Sequence, residues 1–96
     1  MGRLIWSPRA ADDLEEICDY IARDSSRYAA IVAERIVAAV EGIPIFPKAG
    51  RIVPEKGDPN IRERIVGNFR VIYRLKEGVV EVVTICHGAR RLHLDG

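Results

Sequence analysis

Cysteine is nearly absent: Cys18 and Cys86 are the only two in 96 residues. Two thiols exclude a disulfide framework and a four-cysteine zinc site. Each falls inside an apolar pattern, which predicts inert buried thiols in a reducing compartment. Long hydrophobic runs are missing too. No stretch approaches the roughly 20 apolar residues that span a bilayer, and Leu4-Ile5-Trp6 is too short for the core of a secretory signal. Trp6 stands where a myristoylated chain carries Ser or Thr. A cytoplasmic protein without a membrane partner is expected. The sequence also lacks a Gly-rich phosphate loop, a paired-cysteine motif and His-Glu-x-x-His. His87 and His93 have no third nearby ligand, so neither metal nor other cofactor is expected. Ser7, Ser25 and Ser26 read as helix caps rather than nucleophiles. No catalytic residue is assigned.

What remains is an ordinary globular mixture, 48% hydrophobic and 30% charged. Ninety-six residues make a single domain, 1–96, that buries about two-thirds of its unfolded surface around one modest core. Residues 3–6 form a short strand. Ser7 then caps a helix over 8–24, with Pro8 tolerated in its first turn. Asp12, Asp13, Glu15 and Glu16 sit near the positive end of its dipole. Ala10, Leu14, Ile17 and Ile21 make its buried stripe. Ser25 or Ser26 caps a second helix over 26–43, whose apolar face runs from Ala29 through Val32, Ile36 and Val40 to Ile43. Gly42 and Pro44 end it. So short a joint requires an antiparallel helical hairpin.

Residues 44–60 hold four of the five prolines and read as a loop. Residues 61–66 and 69–75, split by Gly67-Asn68, read as a tight β-hairpin. In its second strand Phe69, Val71, Tyr73 and Leu75 share one face, and Arg70, Ile72 and Arg74 the other. Glu77-Gly78 turns the chain into a nearly continuous apolar strand, 79–87. The predicted fold is α+β in the order β-α-α-β-β-β, with the helical hairpin on one face of a mostly antiparallel four-stranded sheet.

The net charge of +1 favours no class of partner by itself, but its distribution is uneven. The first half is net acidic and the second net basic, and twelve of fifteen basic residues are Arg. Arg presents a planar fork suited to carboxylate and phosphate, although a genome's codon preference gives the same bias. Arg62 and Arg64 alternate on one predicted strand, Arg70 and Arg74 on the next, and Arg90 and Arg91 follow the last. If Arg62 and Arg64 point away from the helices, the first four form an Arg-lined sheet face for a phosphate backbone or an acidic protein segment. The plainer alternative is a solvated face with Glu63 and Glu81 as counterions.

Trp6-Ser7-Pro8-Arg9-Ala10-Ala11-Asp12-Asp13-Leu14 with Ile17 and Tyr20-Ile21 resembles the opening of ParE toxins of the RelE/ParE superfamily, a group that includes plasmid stabilisation proteins. Pro47-x-x-Gly50-Arg51, Arg62-Glu63, Tyr73-Arg74 and Val83-x-Ile85-x-His87-Gly88-x-Arg90 resemble its later motifs, in order along nearly the whole chain. The resemblance implies the toxin of a type II toxin–antitoxin pair. Its partner would be a cognate ParD-like antitoxin in a hetero-oligomer, and its target DNA gyrase. RelE-like relatives instead cut messenger RNA on the ribosome, and a non-toxic, antitoxin-binding member of the fold is a third class. Cleavage needs a base, a phosphate-binding cation and an acid. Arg62, Arg74 and Arg90 are the candidate cations and His87 or His93 the proton carrier, whereas Tyr73 reads as core. Loop residues Lys48, Arg51 and Lys56 are diluted by Glu55 and Asp58. Direct nucleic-acid binding is left open. The candidate target- or antitoxin-binding residues are therefore Arg51, Arg62, Arg64, Arg70, Arg74, His87, Arg90 and Arg91.

Overall fold

The computed structural model describes residues 2–88. Strand β1 (Arg3–Trp6) leads into helices α1 (Pro8–Ala22) and α2 (Ser26–Gly42). Strands β2 (Arg51–Ile52), β3 (Ile61–Val66), β4 (Phe69–Lys76) and β5 (Val79–His87) follow. The sheet order is β1-β5-β4-β3-β2, with β1 parallel to β5 and every other pair antiparallel. Among the described residues the sheet thus has five strands where the sequence suggested four. The extra one, β2, is two residues inside the proline-rich loop, too short to carry an alternating pattern.

Local chemistry sets the helix starts. The Ser7 hydroxyl accepts from the Ala10 amide at 3.0 Å and Ser25 from the Tyr28 amide at 3.1 Å, satisfying donors that a helix leaves open. Gly67 takes φ +59° in the two-residue β3–β4 turn, a conformation that favours glycine. No helix among the described residues is long and apolar enough to cross a membrane.

Both helices lie on one face of the sheet, α1 against β5 and α2 against β3. Val32, Ile36 and Val40 of the second helix, with Ile43 just past its end, meet Val71, Tyr73, Val82 and Ile85, while Leu14, Ile17 and Ile21 close the edge half-buried. A smaller cluster of Val53, Ile61 and Ile72 lies on the opposite face. The thiols depart from expectation. Cys18 and Cys86 are half-buried rather than buried, and desolvation, with Asp19 beside it, pushes the Cys18 thiol up from its ordinary value.

Strand β5 carries an irregularity in its pairing with β4. Tyr73 pairs with Val82 and Ile72 with Thr84, so Val83 has no residue opposite it on β4. Pairing with β1 ends at Trp6–Val82, and side chains of the first helix take over the edge beyond. The Ser7 hydroxyl donates to the Val83 carbonyl at 2.8 Å. Asp13 Oδ2 accepts from the Ile85 amide at 3.0 Å and the Thr84 hydroxyl at 2.5 Å. Asp13 therefore does more than face a helix dipole; it fastens the helix to the sheet.

Ile36 is fully buried at the centre of the helix–sheet contact. Replacing it with Ala removes three methyl-sized groups from a packed site and is expected to cost about 2–5 kcal/mol in chemical denaturation.

Candidate functional site

The predicted Arg-lined face does not assemble, and the register explains why. Arg62 pairs with Tyr73 and Arg64 with Val71, which places both on the helix-facing side. Glu63 pairs with Ile72 and shares the outer face with Arg70 and Arg74. Arg62 is spent on main-chain carbonyls: it donates to Pro59 at 2.9 Å, Gly50 at 3.0 Å and Lys48 at 3.2 Å. Arg64 is exposed. Arg74 meets Glu81 at 3.5 Å, near Lys76.

Arg70 is only 5% exposed and Glu63 1%. Arg70 Nε donates to Glu63 Oε1 at 2.6 Å, and its two Nη atoms grip Glu55 at 2.8 and 2.9 Å. Arg51 Nε takes the other oxygen of Glu63. Hydrogen bonding to Glu55 holds the Arg70 guanidinium above its ordinary pKa, against burial that pulls it down. Arg70 is therefore a structural cation. Reversing its charge disrupts the fold before it reports on any partner.

Among the described residues, the groups suggested for RNA cleavage are dispersed. His87 lies opposite Phe69, their rings 5.9 Å apart and edge-on, at one end of β4. Arg74 lies five residues along that strand, about 17 Å away at roughly 3.3 Å per residue. The Tyr73 hydroxyl donates to the Pro47 carbonyl at 2.7 Å and accepts from the Gly50 amide at 3.2 Å. Burial raises its pKa, so it serves as core and loop anchor, as its position in the sequence implied. Among the described residues no three His, Cys, Asp or Glu side chains group to hold a metal. Arg90, Arg91 and His93 lie outside the described residues.

A concave feature lies elsewhere, on the helix side. A groove of about 610 Å³ runs between the first helix, the start of the second, and the ends of β4 and β5. Its apolar wall is Ile17, Tyr20, Ile21, Tyr28 and Phe69, with His87 at one end and Arg9, Asp13 and Glu16 supplying polar contacts. Tyr20 is 70% exposed and Tyr28 50%. Large aromatics left open beside a groove are the composition of a protein-binding surface. Sequence periodicity could not find it, because its wall joins residues 17 to 28 with residues 69 and 87.

Residues 4–92 match the family model described as the ParE toxin of type II toxin–antitoxin system, parDE. The chain belongs to the ParE toxin family. Toxin RelE2 of Caulobacter vibrioides is 34% identical over 91 residues, covering 94% of this chain and 99% of the relative. Putative toxin Y4kP of Sinorhizobium fredii is 34% identical over 87 residues, covering 88% and 86%. A solved structure titled as the chromosomal ParDE TA system from P. aeruginosa shares the fold, with TM-score 0.76 and 24% identity over 91% of this chain and 96% of that one. As a ParE-family chain it is the toxin of a type II pair, and a cognate antitoxin is its partner. The resemblance read from the opening and later motifs is borne out over nearly the whole chain.

Exchanging Glu63 for Gln leaves the buried Arg70 with Glu55 as its charged partner and deprives Arg51 of its own. It is expected to lower stability by about 3 kcal/mol, read from the shift of the urea midpoint.

Proposed function

We propose that this ParE-family toxin arrests growth by binding DNA gyrase and performs no chemistry itself. The dispersal of the would-be nuclease groups among the described residues carries the reading. Transfer of a proton requires acid, base and phosphate-binding cation within hydrogen-bond reach of one scissile bond. Arg62 is occupied by loop carbonyls, Arg74 is paired with Glu81, and His87 stands at the far end of the strand. A gyrase inhibitor needs surface complementarity only. The relative named RelE2 favours the second reading, ribosome-dependent cleavage of messenger RNA.

The readings separate on induced expression and with purified components. Added to gyrase and supercoiled DNA, the toxin is expected to accumulate cleaved DNA, while messenger RNA on ribosomes stays intact. Changing His87 and His93 together to Gln is expected to leave growth arrest within about twofold, because a binding surface does not depend on a titrating imidazole. A nuclease losing its acid or base would fall roughly 10²–10⁴-fold in rate. Charge reversal at Arg90 and Arg91, the basic run of the C-terminal segment, is expected to weaken arrest with folded yield unchanged.

The antitoxin is proposed to fill the groove along the first helix with an amphipathic helical segment, its apolar side on Tyr20, Tyr28 and Phe69. Tyr20→Ala is expected to weaken antitoxin binding at least about tenfold in calorimetric titration. Stability should be unaffected, because Tyr20 is mostly exposed.

A further inference from the structure

The sheet has a second surface that the groove does not account for. Strand β2 starts at Arg51, opposite Glu63, yet β3 continues to Val66. Three residues at the hairpin end of β3, Arg64 to Val66, therefore run past the start of β2. The Val53 amide donates to the Ile61 carbonyl at 3.0 Å, so the main-chain groups of Ile61 face β2. Alternation along an antiparallel strand points those of Glu63 and Ile65 the same way. Glu63 has Arg51 across from it; among the described residues no strand lies opposite Ile65 on that side.

The cause of the gap is visible. Residues 48–50 would have continued β2 past Ile65, but they are drawn toward the helix side. The Gly50 amide goes to the Tyr73 hydroxyl, and Arg62 holds the Gly50 and Lys48 carbonyls. Only glycine fits at this approach, since a Cβ on Gly50 would stand 2.3 Å from the Tyr73 hydroxyl and 2.6 Å from the Glu63 carbonyl. A notch of about 340 Å³ results, lined by Ala49, Gly50, Arg51, Glu63, Arg64 and Ile65.

Its surroundings are basic and apolar. The Arg51 side chain is 65% exposed despite its contact with Glu63, and Arg64 and Lys48 are exposed. The one acid lining the notch, Glu63, is buried and divided between Arg51 and Arg70. Ile65 is 55% exposed. Phe46, 72% exposed, sits one turn before the notch, its carbonyl accepting from the Ala49 amide at 3.0 Å. We propose that the open edge of β3 at Ile65 receives an extended acidic segment of a partner protein as an added strand, in line with β2. The main-chain groups of Ile65 supply two hydrogen bonds. Side chains alternate along the guest, acids toward Arg64 and β-branched residues toward Ile65. So short an edge leaves much of the affinity to charge, and binding must weaken with salt.

The test uses the whole chain and a blocked hexapeptide of alternating Glu and Val, with alternating Lys and Val as control. In residue-resolved NMR of the free protein, the Ile65 amide is expected to exchange faster than those of Arg64 and Val66, which face β4. The Glu-Val peptide is expected to slow Ile65 exchange at least about tenfold. Its affinity should fall at least about fivefold in 0.5 M salt and on Arg64→Glu, a variant whose spectrum away from the notch stays unchanged. The proposal is overturned by any of four results. These are no binding, equal binding of the Lys-Val control, shifts confined to the Tyr20–Phe69 groove, and protection of Ile65 that rises with protein concentration alone, which would make the occupant a second copy.

Discussion

A carboxylate taken out of water decides the outer half of this molecule. Glu63 sits in the middle of a strand with both oxygens engaged, one by Arg70 and one by Arg51. Desolvating a carboxylate costs several kcal/mol unless its oxygens are satisfied. Arg70 in turn is nearly buried and needs more than one acid, and Glu55 supplies the second. Arg51 and Glu55 both come from the proline-rich loop, so the pairing of two sheet residues draws the loop across the sheet face. The two-residue strand β2 is the backbone consequence. Pairs of this kind add little net stability over an apolar packing; what they fix here is the path of a segment with few apolar residues to bury.

On the other face the constraint is apolar. The helical hairpin covers β4 and β5, and side-chain hydrogen bonds adjust the join. Ser7 caps its helix and also ties Val83, the bulged residue of β5. Asp13 accepts from Thr84 and Ile85 where β1 no longer pairs. These bonds close most of an edge that would otherwise invite another strand. The groove beside them lies between the first helix, the start of the second and the ends of β4 and β5, with Tyr20 and Phe69 in its lining.

The two faces therefore offer different chemistry to partners. The helix side presents aromatic and aliphatic surface bordered by Arg9, Asp13 and Glu16, suited to an amphipathic helix. The β2–β3 side presents arginine and lysine around an unpaired stretch of backbone.

Periodicity and caps were enough to place both helices, the β3–β4 hairpin and the long final strand within one or two residues. They rest on local rules: an apolar stripe every three to four residues, serine at a helix start, Gly-Asn between alternating runs. The ordered motifs also carried the family. The fate of the arginines was not local. Which face Arg62 and Arg64 occupy depends on register with β4, and one residue of slip exchanges every side chain between faces. Arg70 reads as a solvent-exposed cation until Glu63 and Glu55, seven and fifteen residues away, are brought against it. Asp13 reads as a helix-dipole residue until β5, some seventy residues later, arrives with two donors. The groove and the open edge of β3 belong to the same class. The sequence by itself determined the elements, because their signals lie within a few residues. Only the tertiary structure decided which charges are buried and which surfaces stay open, because burial depends on what the chain brings back from far away.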